Sequence, residues 1–259
     1  MRCPICDQKM SSILYHRPGV SIVRCLNCGF IANDLGDWHY PYAEQDYYPS
    51  IPSVDVRPDR PFIRHRIQQI QKLAVEGRYV DLGCGLGETA VAMAQAGFAA
   101  EGVEESTNAV SYLQQHYPTV VWHNQRIDHF VETMPAVSFD VITLFHVLEH
   151  IPQPRDLCVQ LNRLLRVDGL LVVEVPDVTG GQARIRGWRW QHWLPHHVNY
   201  FGRNTLRSLL EPLGFELVQE EVKYHLGFPQ GIWWRDVVHG TMARFGLHDI
   251  ITTYWRKIA

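Results

Sequence analysis

Short apolar runs alternate with longer amphipathic stretches over most of the chain after residue 77. The apolar runs predict strands near residues 79–82, 99–103, 120–122, 139–145 and 170–175. The amphipathic stretches between them predict helices near residues 88–96, 107–116 and 154–166. Because strands that alternate with helices form parallel crossovers, this order predicts a doubly wound α/β domain.

Patterned segments also precede and follow this region. A helix is predicted from Pro61 to about residue 74, where Ile63, Ile67 and Ile70 recur at helical spacing. Later segments predict a helix at residues 204–210 and strands at residues 215–222 and 250–255. The two late strands complete a seven-stranded sheet, so we expect the C-terminal segment to belong to the core.

Composition divides the chain into three parts. Residues 31–60 are rich in proline, aspartate and tyrosine without a sustained period, which is typical of a linker. We expect this linker to cross the ligand-binding face, where Tyr47 and Tyr48 either contact a ligand or pack the modules together. The predicted parts are a cysteine-bearing module at residues 1–30, the linker at 31–60, and a main domain at 61–259 with an irregular insert at 225–248 as a candidate lid.

Four cysteines near the N-terminus form two Cys-x-x-Cys pairs. Cys3 and Cys6 are separated from Cys25 and Cys28 by 18 residues, which is the spacing of a tetrathiolate zinc ribbon. Disulfides or a redox pair are the alternative, and a reducing compartment disfavours them. Because four thiolates close the coordination sphere of zinc, we expect a structural metal rather than a catalytic one.

Length and charge limit the classes of function. A chain of 259 residues with 46% hydrophobic content can bury one full α/β core and a small additional module. The formal net charge of -3 disfavours a nucleic-acid substrate, which requires a basic surface. We expect a cytoplasmic protein, because no apolar run approaches the roughly 20 residues of a membrane span and the N-terminus lacks the apolar core of a signal peptide. The oligomeric state stays open.

A glycine-rich turn follows the first strand of the main domain. Gly83, Gly85 and Gly87 allow left-handed backbone angles and let the main chain itself approach a ligand. In the dinucleotide fingerprint the third glycine would fall at Glu88, whose charge opposes a pyrophosphate. The Gly-Lys-Ser/Thr ending of a phosphate-binding loop is also missing from this turn.

Two acidic residues indicate which ligand this turn holds. Asp81 ends the first strand and suits a ligand that carries an ammonium group. Glu104 ends the next apolar run and can accept hydrogen bonds from two ribose hydroxyls. A molecule with both an ammonium group and a ribose is S-adenosylmethionine.

Four blocks of sequence then follow one another in a recognisable order. They are residues 80–87 (VDLGCGLG), 102–106 (GVEES), 139–142 running into 146–152 (FDVI, HVLEHIP), and 170–177 (LLVVEVPD). Together they resemble the class I S-adenosylmethionine-dependent methyltransferases, and among these the group with an N-terminal zinc-binding segment. The resemblance covers most of the chain. It implies a seven-stranded Rossmann-like methyltransferase sheet with an N-terminal zinc ribbon.

The resemblance also assigns cofactor contacts at the carboxyl ends of the strands. It implies that S-adenosylmethionine is bound by Asp81, Gly83, Cys84, Gly85 and Gly87 in the turn, by Glu104 and Glu105 after the second strand, by Gln125 and Arg126 after the third, and by Phe145 and His146 after the fourth. Relatives often carry aspartate where Gln125 falls. The carbonyl group of Gln125 can still accept a hydrogen bond from the adenine amino group.

Residues 188–201 are the densest cluster of aromatic rings and imidazoles in the sequence. Because the segment follows the fifth strand, at the ligand-binding edge of the sheet, we expect it to form the acceptor pocket. Residues 197–201 (HVNYF) resemble the His-Leu-x-Tyr-Phe run of zinc-bearing sugar C-methyltransferases, in which a histidine assists proton removal. His197 is therefore the predicted general base, with His146 and Tyr200 orienting the acceptor.

Other readings of this segment stay open. His197 can instead hold the loop on the helix predicted at residues 204–210. A helix would bring His192 and His196 to one metal ion, but Pro195 disfavours such a helix.

The sequence thus predicts an S-adenosylmethionine-dependent methyltransferase that aligns a small-molecule acceptor for in-line transfer. An envelope sugar or a secondary metabolite is preferred as acceptor. The alternatives are O-methylation of a quinone precursor, or a non-catalytic cofactor-binding subunit that docks a partner through the zinc ribbon.

Overall fold

The computed structural model of the chain describes residues 1–10, 12–17, 20–34, 56–223 and 246–258. The linker residues Tyr47 and Tyr48 and nearly all of the predicted lid lie outside the described residues. The strands are β1 (Ser12–Arg17), β2 (Val20–Arg24), β3 (Ile31–Asn33), β4 (Arg78–Leu82), β5 (Ala99–Glu104), β6 (Val121–Asn124), β7 (Phe139–Phe145), β8 (Leu165–Pro176), β9 (Asn199–Tyr200), β10 (Phe215–Lys223) and β11 (Ile250–Lys257). The helices are α1 (Pro61–Leu73), α2 (Glu88–Gln95), α3 (Thr107–His116), α4 (Ile127–Thr133), α5 (Pro154–Leu164), α6 (Gly181–Arg186) and α7 (Arg203–Leu210).

Seven strands form the main sheet in the order β10-β11-β8-β7-β4-β5-β6. Strands β4 to β8 pair in parallel, whereas β11 pairs antiparallel with both β8 and β10. From β4 the chain runs outwards through β5 to β6 and then returns to the other side of β4 with β7. The strand order therefore reverses between β4 and β7, and the carboxyl ends of the parallel strands open a crevice there. The predicted doubly wound, seven-stranded fold is confirmed.

Helices cover both faces of this sheet. Tyr79 and Val80 are neighbours on β4 but belong to different apolar cores, because successive side chains of a strand point to opposite faces. One core includes Phe130 of α4 and Leu161 of α5, and the other includes Ile67 of α1. Burial on both faces explains why the central strands appear in the sequence as continuous apolar runs.

Two local details differ from the sequence prediction. Helix α4, which begins at Ile127, was not among the predicted helices; its Phe130 and Val131 are buried. Helix α5 ends at Leu164 rather than near residue 166, because Leu165 already pairs with Phe139 of β7.

Among the described helices, none combines the length and apolar composition needed to cross a bilayer.

A second, four-stranded sheet has the order β1-β2-β3-β9. Its first three strands come from the N-terminal module, and β9 comes from the segment after β8. Ile31 pairs with Tyr200 and Ala32 with Asn199, while the backbone N–H of Asn33 donates to the carbonyl of Val198 at 3.0 Å. The sheet of the cysteine-bearing module therefore continues past residue 30 and includes part of the predicted acceptor segment.

Candidate cofactor and acceptor site

The four N-terminal cysteines converge on one point. All four Sγ atoms lie within 4.8 Å of one another, and the Cys3–Cys28 and Cys6–Cys25 pairs are each 3.5 Å apart. A tetrahedral zinc ion with Zn–S bonds of about 2.3 Å places neighbouring sulfur atoms roughly 3.8 Å apart. The cysteines are free thiols and not disulfides. The donor set therefore fits one zinc ion, held by four thiolates without an open coordination position.

The glycine turn after β4 has the conformation that its sequence predicts. Gly83, Gly85 and Gly87 have φ values of 70°, 56° and 69°. A Cβ atom on Gly83 would lie 2.6 Å from Val147 Cγ2, and one on Gly87 would lie 2.4 Å from Trp122 Cη2. Both the backbone conformation and the close packing exclude larger residues.

Asp81 lies at the buried end of β4, beside this turn. Its Oδ1 atom accepts a hydrogen bond of 2.7 Å from Thr143 Oγ1, which lies 2.7 Å from the hydroxyl of Tyr79. Burial raises the pKa of Asp81 to about 7, although the bond from Thr143 opposes the shift. A carboxylate in this state is stabilised by an incoming cation, as the ammonium group of the predicted cofactor would be.

Glu104 ends β5 on the other side of the turn. Its carboxylate accepts hydrogen bonds of 3.0 Å from the backbone N–H groups of Gly85 and Ser106, which fix its position. Burial raises the pKa of Glu104. Asp81 and Glu104 thus stand at the carboxyl ends of adjacent strands with the glycine turn between them.

The residues predicted to surround adenine lie at the ends of β5 and β6. The backbone N–H of Gln125 donates to the carbonyl of Glu104 at 3.2 Å, which keeps the two segments together. Glu105 and Arg126 are exposed, with Glu105 Oε2 4.0 Å from Arg126 Nη1. Arg126 also forms a 2.9 Å ion pair with Asp128. The adenine contacts themselves stay a prediction.

His146 follows directly after β7 with a φ of 59°, an uncommon value for a residue with a side chain. Its Nδ1 atom lies 3.4 Å from Glu149 Oε1, and its Nε2 atom lies 3.4 Å from Glu174 Oε1. Burial lowers the pKa of His146, but the hydrogen bonds to the two carboxylates outweigh burial and raise it to about 9. His146 is therefore a cation at neutral pH.

Glu174 lies near the carboxyl end of β8, is 2% exposed, and was not among the predicted site residues. Glu174 is ion-paired with Arg66 and with Lys223 (2.6 Å), and it accepts a 2.6 Å hydrogen bond from Thr252 Oγ1. The guanidinium group of Arg66 also stacks over the ring of Phe145, 3.9 Å from its centroid. The only sequence signal for this charged network was a lone glutamate within the apolar run of β8.

The predicted acceptor segment holds His197 and Tyr200 in different surroundings. His197 is 6% exposed, and burial lowers the pKa of its ring to about 3. The Tyr200 hydroxyl donates to the carbonyl of Leu194 at 3.3 Å, and its ring packs edge-on against Trp193 at 4.6 Å. The described contacts of Tyr200 support the loop. Its predicted contact with an acceptor, like the base role of His197, stays a prediction.

His192 and His196, the metal pair that Pro195 disfavours, have different neighbours among the described residues. His192 Nε2 instead lies 3.6 Å from Asp249 Oδ2. His196 lies beside His150 and His197, and one ring nitrogen of each lies within 4.8 Å of the other two. Sequence spacing did not indicate this group, because His150 precedes the other two by 46 residues or more.

Comparison with known proteins is consistent with this geometry. A family model described as a methyltransferase domain matches residues 57–220. A ubiquinone biosynthesis O-methyltransferase of Actinobacillus pleuropneumoniae is 33% identical over 101 residues, which cover 36% of this chain and 43% of that protein. The chain therefore spans less than half the length of this curated relative.

Solved structures share the fold at low sequence identity. An S-adenosylmethionine-dependent methyltransferase from Archaeoglobus fulgidus aligns with a TM-score of 0.59 and 18% identity, over 77% of this chain and 95% of that one. A 1,6-didemethyltoxoflavin-N1-methyltransferase from Burkholderia thailandensis aligns with a TM-score of 0.56 and 15% identity, over 96% of this chain and 100% of that one. At these identities the similarity establishes the fold.

Proposed function

The chain belongs to the methyltransferase domain family, and from that premise we propose that it methylates a small-molecule acceptor with S-adenosylmethionine. The observation that carries the proposal is the position of Asp81 and Glu104 on the two sides of the glycine turn. These carboxylates suit an ammonium group and a ribose. The net charge of -3 favours a small acceptor over a nucleic acid.

The proposed mechanism is alignment of the reactants. When bound, S-adenosylmethionine supplies a methyl group on a positively charged sulfur, which a nucleophile displaces in line. Asp81 would accept hydrogen bonds from its ammonium group, and Glu104 would accept them from its ribose. The backbone of the glycine turn forms the wall between these two anchors. His146 borders the methyl-bearing end as a cation held by Glu149 and Glu174.

For the acceptor, we prefer an envelope sugar or a secondary metabolite. Supporting this choice, Trp188 is 48% exposed and stacks on Tyr15 with ring centroids 4.5 Å apart, which offers a flat apolar platform beside the acceptor segment. A hydroxylated quinone precursor is the second candidate. It is favoured by the curated relatives, whose names identify ubiquinone biosynthesis O-methyltransferases.

The pairing of β3 with β9 bears on the non-catalytic alternative. Docking through the zinc ribbon would use the surface or the edges of its sheet. One edge is already occupied by β9 from the same chain. This arrangement favours a ribbon that supports the acceptor segment over one that serves only as an adaptor for a partner.

Cofactor binding gives the first test. We expect S-adenosylmethionine and its demethylated product to bind in the micromolar range by calorimetry. Gly85→Val and Glu104→Ala are expected to abolish binding with an unchanged far-UV spectrum, whereas Glu132→Gln, an exposed carboxylate on α4, leaves affinity unchanged. Equal affinity in all four proteins, or a preference for NAD, would refute the cofactor assignment.

Turnover gives the second test. Nucleotide sugars, small phenolic metabolites and hydroxylated quinone precursors are assayed for methylation with labelled cofactor. If His197 is the base, His197→Ala lowers turnover by roughly 100-fold and changes cofactor affinity by only a few-fold. Its buried ring is neutral at pH 7 but a weak proton acceptor, so a small loss of turnover would assign it a positioning role instead.

A further inference from the structure

Three histidines form a compact group outside the predicted cofactor contacts. His150 follows β7 within a short 3₁₀ turn, while His196 and His197 follow β8 in the acceptor segment. One ring nitrogen from each lies within 4.8 Å of the other two, the same limit that the four zinc-binding cysteines satisfy. Two segments distant in sequence thus bring three metal-ligating side chains to one point.

The backbone fixes this convergence. Three hydrogen bonds join the two segments: Val198 N–H to Glu149 O at 2.9 Å, Asn199 Nδ2 to Ile151 O at 2.5 Å, and His150 Nδ1 to His196 O at 3.0 Å. On its other side the second segment is held by the pairing of β9 with β3. The rings are therefore positioned by hydrogen bonds on both flanks rather than by their own packing alone.

The hydrogen bonding of two of the imidazoles suits metal ligands. His150 uses Nδ1 on a backbone carbonyl, and such a bond fixes the tautomer that leaves Nε2 with its lone pair for a metal. His197 is 94% buried, and its Nδ1 atom has no hydrogen-bond partner within the described part of the chain. A buried ring nitrogen of this kind requires a partner, and a metal ion supplies one.

A buried carboxylate supplies the compensating charge. Glu149 is 1% exposed, and the one described contact of its carboxylate oxygens is the 3.4 Å approach of His146 Nδ1 to Oε1. It is adjacent in sequence to His150, and its charge acts on both His150 and His197. A cation bound by three neutral imidazoles is therefore balanced by an anion within the same pocket.

We propose that His150, His196 and His197 form a second metal site, which binds a divalent transition-metal ion such as Zn²⁺. Imidazole nitrogens suit zinc, cobalt, nickel and copper rather than magnesium or calcium. Three protein ligands leave a fourth position open, unlike the four thiolates of the ribbon. The two sites therefore differ in kind, one closed and structural and the other able to accept an exogenous ligand.

The open position has a chemical consequence, which rests on the proposed function. The three histidines lie on the segments that leave the carboxyl ends of β7 and β8, where the acceptor is expected. An oxygen of the acceptor takes the open position, and coordination lowers the pKa of a bound hydroxyl group. The site thus favours an oxygen acceptor. In this arrangement His197 is a metal ligand rather than a free base.

The test is direct metal binding to tag-free protein whose ribbon is already loaded with zinc. Calorimetry with Zn²⁺ alone is expected to show one further binding event per chain. His150→Gln retains an amide donor for the His196 carbonyl but removes a strong metal ligand. The variant is therefore expected to lower the affinity for the second Zn²⁺ at least ten-fold. His196→Gln is an independent second variant with the same expected result. The matched control is His192→Gln, whose ring lies 6.1 Å from His197 but outside the group.

Cobalt distinguishes the two sites by spectrum. Co²⁺ at the three histidines gives d–d bands without the thiolate charge-transfer absorption of the ribbon, and these bands disappear in His150→Gln. The proposal is overturned if the wild type binds zinc at the ribbon alone. It is also overturned if the wild type and both ligand variants bind the second metal ion equally well. Binding of the demethylated cofactor is measured in parallel. If the demethylated cofactor binds but no second metal ion does, the metal site is refuted and the proposed function stands. If a second metal ion binds but the demethylated cofactor does not, the proposed function is refuted and the metal site stands.

Discussion

Asp81→Asn is expected to stabilise the ligand-free protein relative to the wild type as the pH rises, while it weakens cofactor binding. The carboxyl group is 3% exposed, and burial raises its pKa from 3.8 to about 7. This difference of about 3 pKa units corresponds to about 4 kcal/mol between the two protonation states. Asparagine keeps the acceptor for Thr143 Oγ1 but carries no charge to bury.

The sign follows from the direction of the shift. A group whose pKa is higher in the folded state contributes stability that is fully present below pH 3.8 and is lost as the pH rises through about 7. Asparagine undergoes no such loss. The stability difference between variant and wild type therefore grows by about 2 kcal/mol between about pH 5.5 and about pH 8. Any effect of the new amide group on the free energy of unfolding is the same at every pH, so it does not change how this difference grows with pH.

Urea unfolding and thermal melting at several pH values provide the assay. A change of about 2 kcal/mol corresponds to roughly 4–8 °C in a chain of this size. Glu132→Gln, which neutralises an exposed carboxylate, is expected to show no comparable pH-dependent difference. In the wild type, affinity for the demethylated cofactor falls roughly ten-fold per pH unit below about pH 7, and Asp81→Asn loses this dependence. A stability difference that is constant across this pH range would refute the reasoning.

Other predictions concern the zinc ribbon, the glycine turn and the acceptor segment. Elemental analysis of chelator-washed wild type is expected to find one tightly held zinc per chain, and Cys25→Ser is expected to lose it. Finding no zinc in the wild type purified under reducing conditions would contradict the zinc ribbon. Gly87→Ala is expected to lower the free energy of unfolding in urea by at least about 2 kcal/mol, because its Cβ would lie 2.4 Å from Trp122. The loss is expected to be clearly smaller for the control Gly97→Ala, where φ is 98° but nothing lies within 4 Å of the added Cβ. Tyr200→Phe removes the 3.3 Å hydrogen bond to the Leu194 carbonyl and is expected to cost about 1 kcal/mol or less in urea unfolding. An unchanged turnover would leave Tyr200 with a structural role only.

Local patterns in the sequence predicted where the glycine turn, Asp81 and Glu104 lie, while their contacts with a cofactor stay a prediction. The glycine turn, Asp81 and Glu104 each depend on neighbours within a few residues, and the structure brings them together at the carboxyl ends of β4 and β5. The four cysteines were also identifiable, because paired Cys-x-x-Cys spacing encodes the metal geometry itself. In both cases the chemistry is written into short segments, whose arrangement the fold class then determines.

The features that were missed depend on contacts between distant segments. The three-histidine group joins residues 46 or more positions apart, and neither segment alone has a metal-binding spacing. Strand β9 has only two residues, too few for a periodic pattern, and it is defined by its partner β3. Helix α4 has seven residues, and its two buried positions are adjacent, so no helical repeat could be recognised.

The pairing of β9 with β3 links the acceptor segment to the proposed zinc site. Small metal-binding modules commonly fold only with their metal, so we expect β3 to present an ordered edge after zinc has bound. The short strand β9 then has a template, and the histidine-bearing segment acquires its final position last. The crevice around Asp81 needs none of these steps, since it is built from β4, β5 and β7. We therefore expect a newly made chain to bind cofactor before it can transfer a methyl group, with zinc supply rather than cofactor supply limiting the second step.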